Sequence, residues 1–185
     1  MPFGFFKKKK KEEPHYDPTN ISIRDLRKGY VLDYDLQSWE VTEEYEYDWG
    51  GGEFSWEYKL QSATESVFLS IEDDDFLTGT VNKKIMWGKL PDEVEDGITS
   101  KGKPPKKITF NGKTYYRDSK NVGFWRNVHT TSSDNSSEYM SWEYYDDSEK
   151  FVLTIEQFDD EEFEASLGVV EEPDKFTNIL PNTND

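Results

Sequence analysis

Ser55-Trp56-Glu57-Tyr58, followed by Phe68-Leu69-Ser70-Ile71-Glu72, is written a second time in this chain. The second copy reads Ser141-Trp142-Glu143-Tyr144, followed by Val152-Leu153-Thr154-Ile155-Glu156. The gap inside the phrase shrinks by two residues in the second copy, as a hairpin loop can without disturbing its strands. A repeat of this length implies two copies of one supersecondary unit. Within each phrase apolar and polar residues alternate, which is the period of a half-buried β-strand. Trp56 and Tyr58, Trp142 and Tyr144, Leu69 and Ile71, and Leu153 and Ile155 therefore share faces and form the expected core.

Working outward, the same alternation predicts strands over 30–35, 39–47, 54–60 and 67–72, with one or two more over 76–87. The second half predicts 108–110, 114–117, 123–129, 141–144, 151–157 and 162–170. Gly50, Gly51 and Gly52 offer a turn at the first hairpin, and Asn111-Gly112 is a hairpin signal in the second half. A short helix is expected after Asn20, with Ile21, Ile23 and Leu26 on its apolar side and Gly29 at its end. Residues 173–180 are expected to hold another helical turn. The segment 91–107, rich in Pro, Gly and charge, reads as a linker with almost nothing to bury. The organisation predicted is thus a tail (1–18), a first β unit (19–90), a linker (91–107) and a second β unit (108–185). The fold class is all-β, with two similar antiparallel units, each a small barrel or curved sheet.

Composition narrows the chemistry. Hydrophobic residues make up 34% of the 185, and charged ones 33%, but the aromatic fraction of 16% supplies large bodies for a core. There is no cysteine, so disulfides, thiolate metal sites and cysteine nucleophiles are excluded. No stretch reaches the roughly 18 apolar residues of a membrane span. The net charge of −17 hides a division, because five of the 22 basic residues fall in 7–13. A body that acidic repels phosphate backbones, so nucleic acid is not expected as a partner. Cytoplasmic placement is the expectation.

The glycine, tryptophan and glutamate positions carry a family resemblance. Gly29-Tyr30-Val31-Leu32-Asp33-Tyr34, Ser38-Trp39-Glu40-Val41, Trp56-Glu57-Tyr58 and Leu69-Ser70-Ile71-Glu72 resemble the bacterial domain of unknown function 4178 (DUF4178). Trp142-Glu143-Tyr144, Leu153-Thr154-Ile155-Glu156, Glu164 and Gly168 extend the likeness over roughly residues 20–180. The resemblance implies an all-β domain without an established activity. It also implies an accessory role in envelope stress, since members tend to be encoded beside homologues of the phage-shock membrane-stress protein and beside polyamine-synthesis enzymes.

Candidate sites follow from these features. Phe3, Phe5 and Phe6 with Lys7, Lys8, Lys9, Lys10 and Lys11 form a basic aromatic tail suited to docking on a protein partner or an anionic membrane, at the inner face. Asp73, Asp74 and Asp75, with Asp159 and Asp160, occupy equivalent loops and are candidate cation contacts, although they lack the staggered ligand spacing of a calcium loop. The recurring pairs Glu57 with Glu143 and Glu72 with Glu156 fall opposite the Trp and Ile face, and are expected on a solvated outer face or paired with a nearby Lys. His15 and His129 make no visible pair, and residues 130–137 read as a tolerant loop. Trp56 and Trp142 are assigned to the core, with Trp49, Trp87 and Trp125 left open. No catalytic residue, metal ligand or cofactor is predicted. The expected function is a non-enzymatic accessory or interaction protein, peripheral to the membrane through its tail. The alternative is a binding protein responsive to cations or polyamines.

Overall fold

A computed structural model of the chain describes residues 21–73, 76–159 and 162–181. Among them eleven strands form one antiparallel sheet. The strands are β1 (Val31–Tyr34), β2 (Gln37–Gly50), β3 (Glu53–Gln61), β4 (Ser66–Asp73), β5 (Leu77–Ile85), β6 (Lys107–Phe110), β7 (Lys113–Asn127), β8 (Ser137–Tyr145), β9 (Phe151–Phe158), β10 (Glu162–Glu171) and β11 (Thr177–Leu180). Their order is β11-β1-β2-β3-β4-β5-β10-β9-β8-β7-β6, and β2 pairs additionally with β7. That last pairing closes eight strands into a ring, with β1 and β11 extending from β2, and β6 from β7. The expectation of two separate sheets is therefore corrected: both halves contribute four strands to one closed wall. Closure leaves only the four-residue strands β11 and β6 at the ends of the sheet, and short edges template aggregation poorly.

Two strands are long enough to serve two neighbours. β2 pairs with β1 through residues 37–40 and with β7 through residues 45–48. β7 likewise pairs with β6 first and with β2 near its end. The predicted strands 114–117 and 123–129 are one continuous element for this reason.

The wall carries its apolar face outward. Tyr58, Leu60, Leu69, Ile71 and Val81 form one buried cluster, covered by Ile23, Leu26, Leu32, Phe176 and Ile179. Trp142, Tyr144, Leu153, Ile155 and Ala165 form a second, covered by Leu90, Val94, Ile108 and Phe110. Each fully buried large side chain contributes about 1.5–3 kcal/mol. The covers come from short elements outside the ring. A 3-10 turn, Ile23–Asp25, is held by a capping box in which Ser22 and Asp25 exchange hydrogen bonds, so Ser22 serves as its cap. Residues 173–180 are not one helical turn: a 3-10 turn at Pro173–Lys175 leads into β11, which pairs with β1.

The segment 91–107 also departs from its reading as a linker. It carries the helix α1 (Asp92–Lys101), ended by Gly102 in the left-handed region, and it buries Val94 completely. A lid of one amphipathic stripe needs few apolar residues, which is why composition alone hid it.

Two glycines mark where the halves meet. A Cβ on Gly123 of β7 would overlap the carbonyl oxygen of Asp48, and one on Gly168 of β10 would overlap Oδ1 of Asn82. Both seams need a residue without a side chain on the inner face.

Candidate functional site

With the apolar face turned out, the interior of the ring is polar. β3 contributes Ser55 and Glu57, β4 Ser70 and Glu72, and β5 Thr80 and Asn82. From the other half come Asn121, Tyr139, Glu143, Thr154, Glu156 and Ser166. These residues line a half-open cavity of about 640 Å³, within the range of small-molecule sites. It opens between residues 53–57 of β3 and 118–122 of β7, where β7 runs past the end of β2 at Gly50.

Glu57, Glu143 and Glu156 thus do not lie on a solvated outer face, while Glu72 lines the cavity and stays exposed. Glu156 is 5% exposed; it accepts a hydrogen bond from the Tyr139 hydroxyl at 2.9 Å and an ion pair from Lys84 at 2.8 Å. Glu57 accepts from Ser70 at 2.8 Å and from the Tyr47 hydroxyl at 3.3 Å. β3 and β9 stand on opposite sides of the ring, so Glu57 and Glu156 face each other across it. Burial, and then the charge of Glu156, raise the Glu57 carboxyl to about 7, against the opposing pull of Lys84, Ser70 and Tyr47. Glu143 is raised to about 7 as well, by burial first and then by the charge of Glu72, with Asp118 adding to it.

Lys84 illustrates what this interior holds. Its ammonium lies 2.8 Å from Glu156 and 2.6 Å from Glu164, and over the rings of Phe68 and Phe158 at 5.1 and 5.8 Å. Burial opposes its charge, but Glu156 and Glu57 outweigh that and raise its pKa. Around it Tyr45, Phe68, Trp125 and Phe158 fill one end of the ring with contacting rings. Trp49 stands at the cavity, stacked on Tyr47 at 5.7 Å and donating to Ser55 at 3.0 Å.

Other sequence-predicted positions fare differently. Trp142 is 1% exposed, as expected of core, but Trp56 is 39% exposed near the β2–β3 hairpin tip and is corrected to a rim residue. Asp73 is engaged by Arg24, whose Nε donates at 2.6 Å, and Asp159 is a turn residue at φ 48°. Asp74, Asp75 and Asp160 lie outside the described residues, as do Phe3, Phe5, Phe6, Lys7, Lys8, Lys9, Lys10 and Lys11. His129 contacts Glu44 at 3.3 Å. Among the described residues no group of three or more His, Cys, Asp or Glu is placed to hold a metal ion.

Residues 27–173 match the family described as Domain of unknown function (DUF4178). The chain belongs to the DUF4178 family. An "Uncharacterized protein" of Aquifex aeolicus (strain VF5) is 26% identical over 179 residues, covering 92% of this chain and 93% of that protein. No solved structure matches. In this DUF4178 chain the matched region spans β1 to β10, so it contains every strand of the closed ring.

The raised carboxyls set a pH dependence. An unfolded glutamate titrates near 4.5, so between pH 4.5 and about 7 the native chain holds protons at Glu57 and Glu143 that the unfolded chain releases. Stability then falls as pH rises through that window. The thermal midpoint is expected to be higher at pH 5.5 than at pH 8, and the double variant Glu57→Gln, Glu143→Gln should narrow the difference. A midpoint that rises towards pH 8 in the unaltered chain contradicts the assignment.

Proposed function

We propose that this protein is a receptor for an organic cation, an accessory protein whose barrel interior is the binding site. The observation that carries the reading is the cavity wall. Among the described residues six carboxylates line it (Glu53, Glu57, Glu72, Asp118, Glu143 and Glu156) against one lysine, Lys120. Tyr47, Trp49, Trp56, Tyr139 and Tyr145 supply aromatic surface beside them. Carboxylates and ring faces together are the chemistry that holds ammonium groups. A di- or polyamine, with charges spread along an aliphatic chain, suits a wall whose acids are dispersed. Within that wall Asn82, 7% exposed, donates its amide nitrogen to Ser70 but leaves Oδ1 without a hydrogen-bond partner.

The receptor is built, on this reading, from two copies of one four-stranded unit, β2–β5 and β7–β10. The seams support it. If residues 79–85 are equated with 165–171, as the Trp phrases require, the pairs Ile85↔Ala165 and Gly79↔Glu171 exchange when the halves are interchanged. The pair Asn82↔Gly168 then maps onto itself. At such a point only one inward side chain fits, so one copy carries glycine. The duplication leaves an acid pair at each end of the ring: Glu57 with Glu156, and Glu143 with Glu72.

Calorimetry of the full chain with spermidine and with calcium tests the receptor. Saturable micromolar binding of spermidine, accompanied by a change in tryptophan emission from Trp49 and Trp56, is expected, with calcium much weaker. Equal response to both cations, or to neither, removes the proposal.

A further inference from the structure

We infer that residues 3–11 of this chain dock on the outer face of the seam between β2 and β7, phenylalanines on its exposed apolar side chains and lysines on the acids around them. The docking is independent of the receptor proposed above; only its consequence for the cavity rests on that reading.

The short elements outside the ring cover the Tyr58 cluster and the Trp142 cluster, but not the stretch of wall between them. There β2 pairs Asp48 with Phe54 of β3 on one side and with Phe124 of β7 on the other. Residues paired across strands point to the same side, so Phe54, Asp48 and Phe124 make one row. Trp56 lies two residues beyond Phe54, and Val122 two before Phe124, so both look the same way. Trp56 pairs with Ile71 of the buried outer cluster, which fixes that side as the outer one. Phe54, Trp56, Val122 and Phe124 keep between 39% and 58% of their surface exposed. Large apolar side chains gathered in one exposed patch mark an interaction surface. A groove of about 370 Å³ runs beside Val122, Phe124 and Met140, and one of about 560 Å³ beside Phe54 and Trp56.

The charges around the patch select its occupant. Asp48, Glu138 and Asp159 line the first groove, and Glu53 the second. None of the four forms an ion pair with another described residue, whereas the cations nearby are engaged, Arg24 with Asp73 and Arg126 with Glu46. A second copy of this face would set four acids against four, and an anionic membrane would meet the same repulsion. The occupant is therefore aromatic and cationic at once. Phe3-Gly4-Phe5-Phe6 followed by Lys7 to Lys11 is such a segment within this chain. The described part of the chain also begins here, for Ile23 and Arg24 line the groove beside Phe54 and Trp56. Lys11 precedes Ile21 by ten residues, which span up to about 33 Å when extended. From β3 across β2 to β7 is two strand spacings, roughly 10 Å, so the segment reaches the whole row. Glu53, Trp56 and Val122 belong both to this surface and to the mouth of the cavity. A segment lying over them narrows that mouth and competes with an incoming amine.

The chain contains no cysteine, so Gly4→Cys takes a single nitroxide on the full chain. In dilute isotope-labelled protein the amide signals of Phe54, Val122 and Phe124 are expected to broaden. Replacing Phe3, Phe5 and Phe6 together by Ser should reduce that broadening at least threefold. Phe124→Ser, an exposed position, should do the same at Phe54 and Val122. Broadening that passes equally from a nitroxide-bearing chain to a separate isotope-labelled one assigns the segment to a second copy and overturns the inference. Absence of broadening overturns it too, whether or not residues 3–11 then bind phosphatidylglycerol vesicles. With docking present, the triple Ser variant should bind spermidine at least threefold more tightly. If the signals broaden but no amine binds, the receptor falls and the docking stands.

Discussion

Lys84→Met should destabilise the protein by about 1–3 kcal/mol at pH 7.5, between the ranges for exposed and buried ion pairs, because Glu156 is buried while a third of the Lys84 side chain is exposed. The methionine keeps the length of the stem and its contact with Phe68 and Phe158, so packing changes little. What is lost is the charge that faces Glu156 and Glu164 and that tempers Glu57. The Glu156 side chain is 6% exposed and cannot recover its hydration without opening the wall. Urea denaturation measures the loss. Lowering the pH to 5 should return part of it, because protonating the carboxyls removes the uncompensated charge. A loss below 1 kcal/mol at pH 7.5, or one that grows on acidification, would show that Lys84 is not the counter-charge of the interior.

Trp142→Ala should cost about 3–5 kcal/mol, whereas Trp56→Ala at the repeated position should cost about 1 kcal/mol or less. The repeat makes the two tryptophans equal; their surroundings do not. Trp142 packs among Ile108, Phe110, Leu153 and Ile155 beneath α1, and its removal leaves a cavity that the closed wall cannot collapse. Trp56 sits where the outer wall runs out at the hairpin tip, beside Ile23, Arg24 and Phe54, and keeps 39% of its surface exposed. Equal losses by chemical denaturation in the two variants would refute this assignment. Trp56→Ala also lies at the cavity rim, so its effect on amine affinity should exceed its effect on stability.

Much of the local structure was legible before any coordinates. Alternation placed nearly every strand, and it put Tyr58, Leu69, Ile71, Trp142, Tyr144, Leu153 and Ile155 together on buried faces, as they are. The family was legible from the aromatic and glutamate positions that the match over 27–173 contains. The lid α1 was not, because ten residues with one fully buried valine leave no compositional trace. The candidate site was half legible. Glu57, Glu72, Glu143 and Glu156 stand out as the repeated polar residues, but alternation offers them a solvated outer face or a nearby lysine, not the wall of a cavity.

The reason lies in what a period of two can say. It separates the two faces of every strand without saying which face encloses the other, for the alternation reads the same with inside and outside exchanged. The sequence by itself determined that Trp56 to Tyr58 and Glu57 look opposite ways, and that the Trp-Glu-Tyr phrase is written twice. Tertiary structure decided that the glutamates look inward. The decision comes from pairings distant in sequence, β2 with β7 and β5 with β10, which close the ring around the polar face and leave the apolar face for short lids to cover. Such long-range contacts depend on the summed burial of many side chains, so no local pattern announces them.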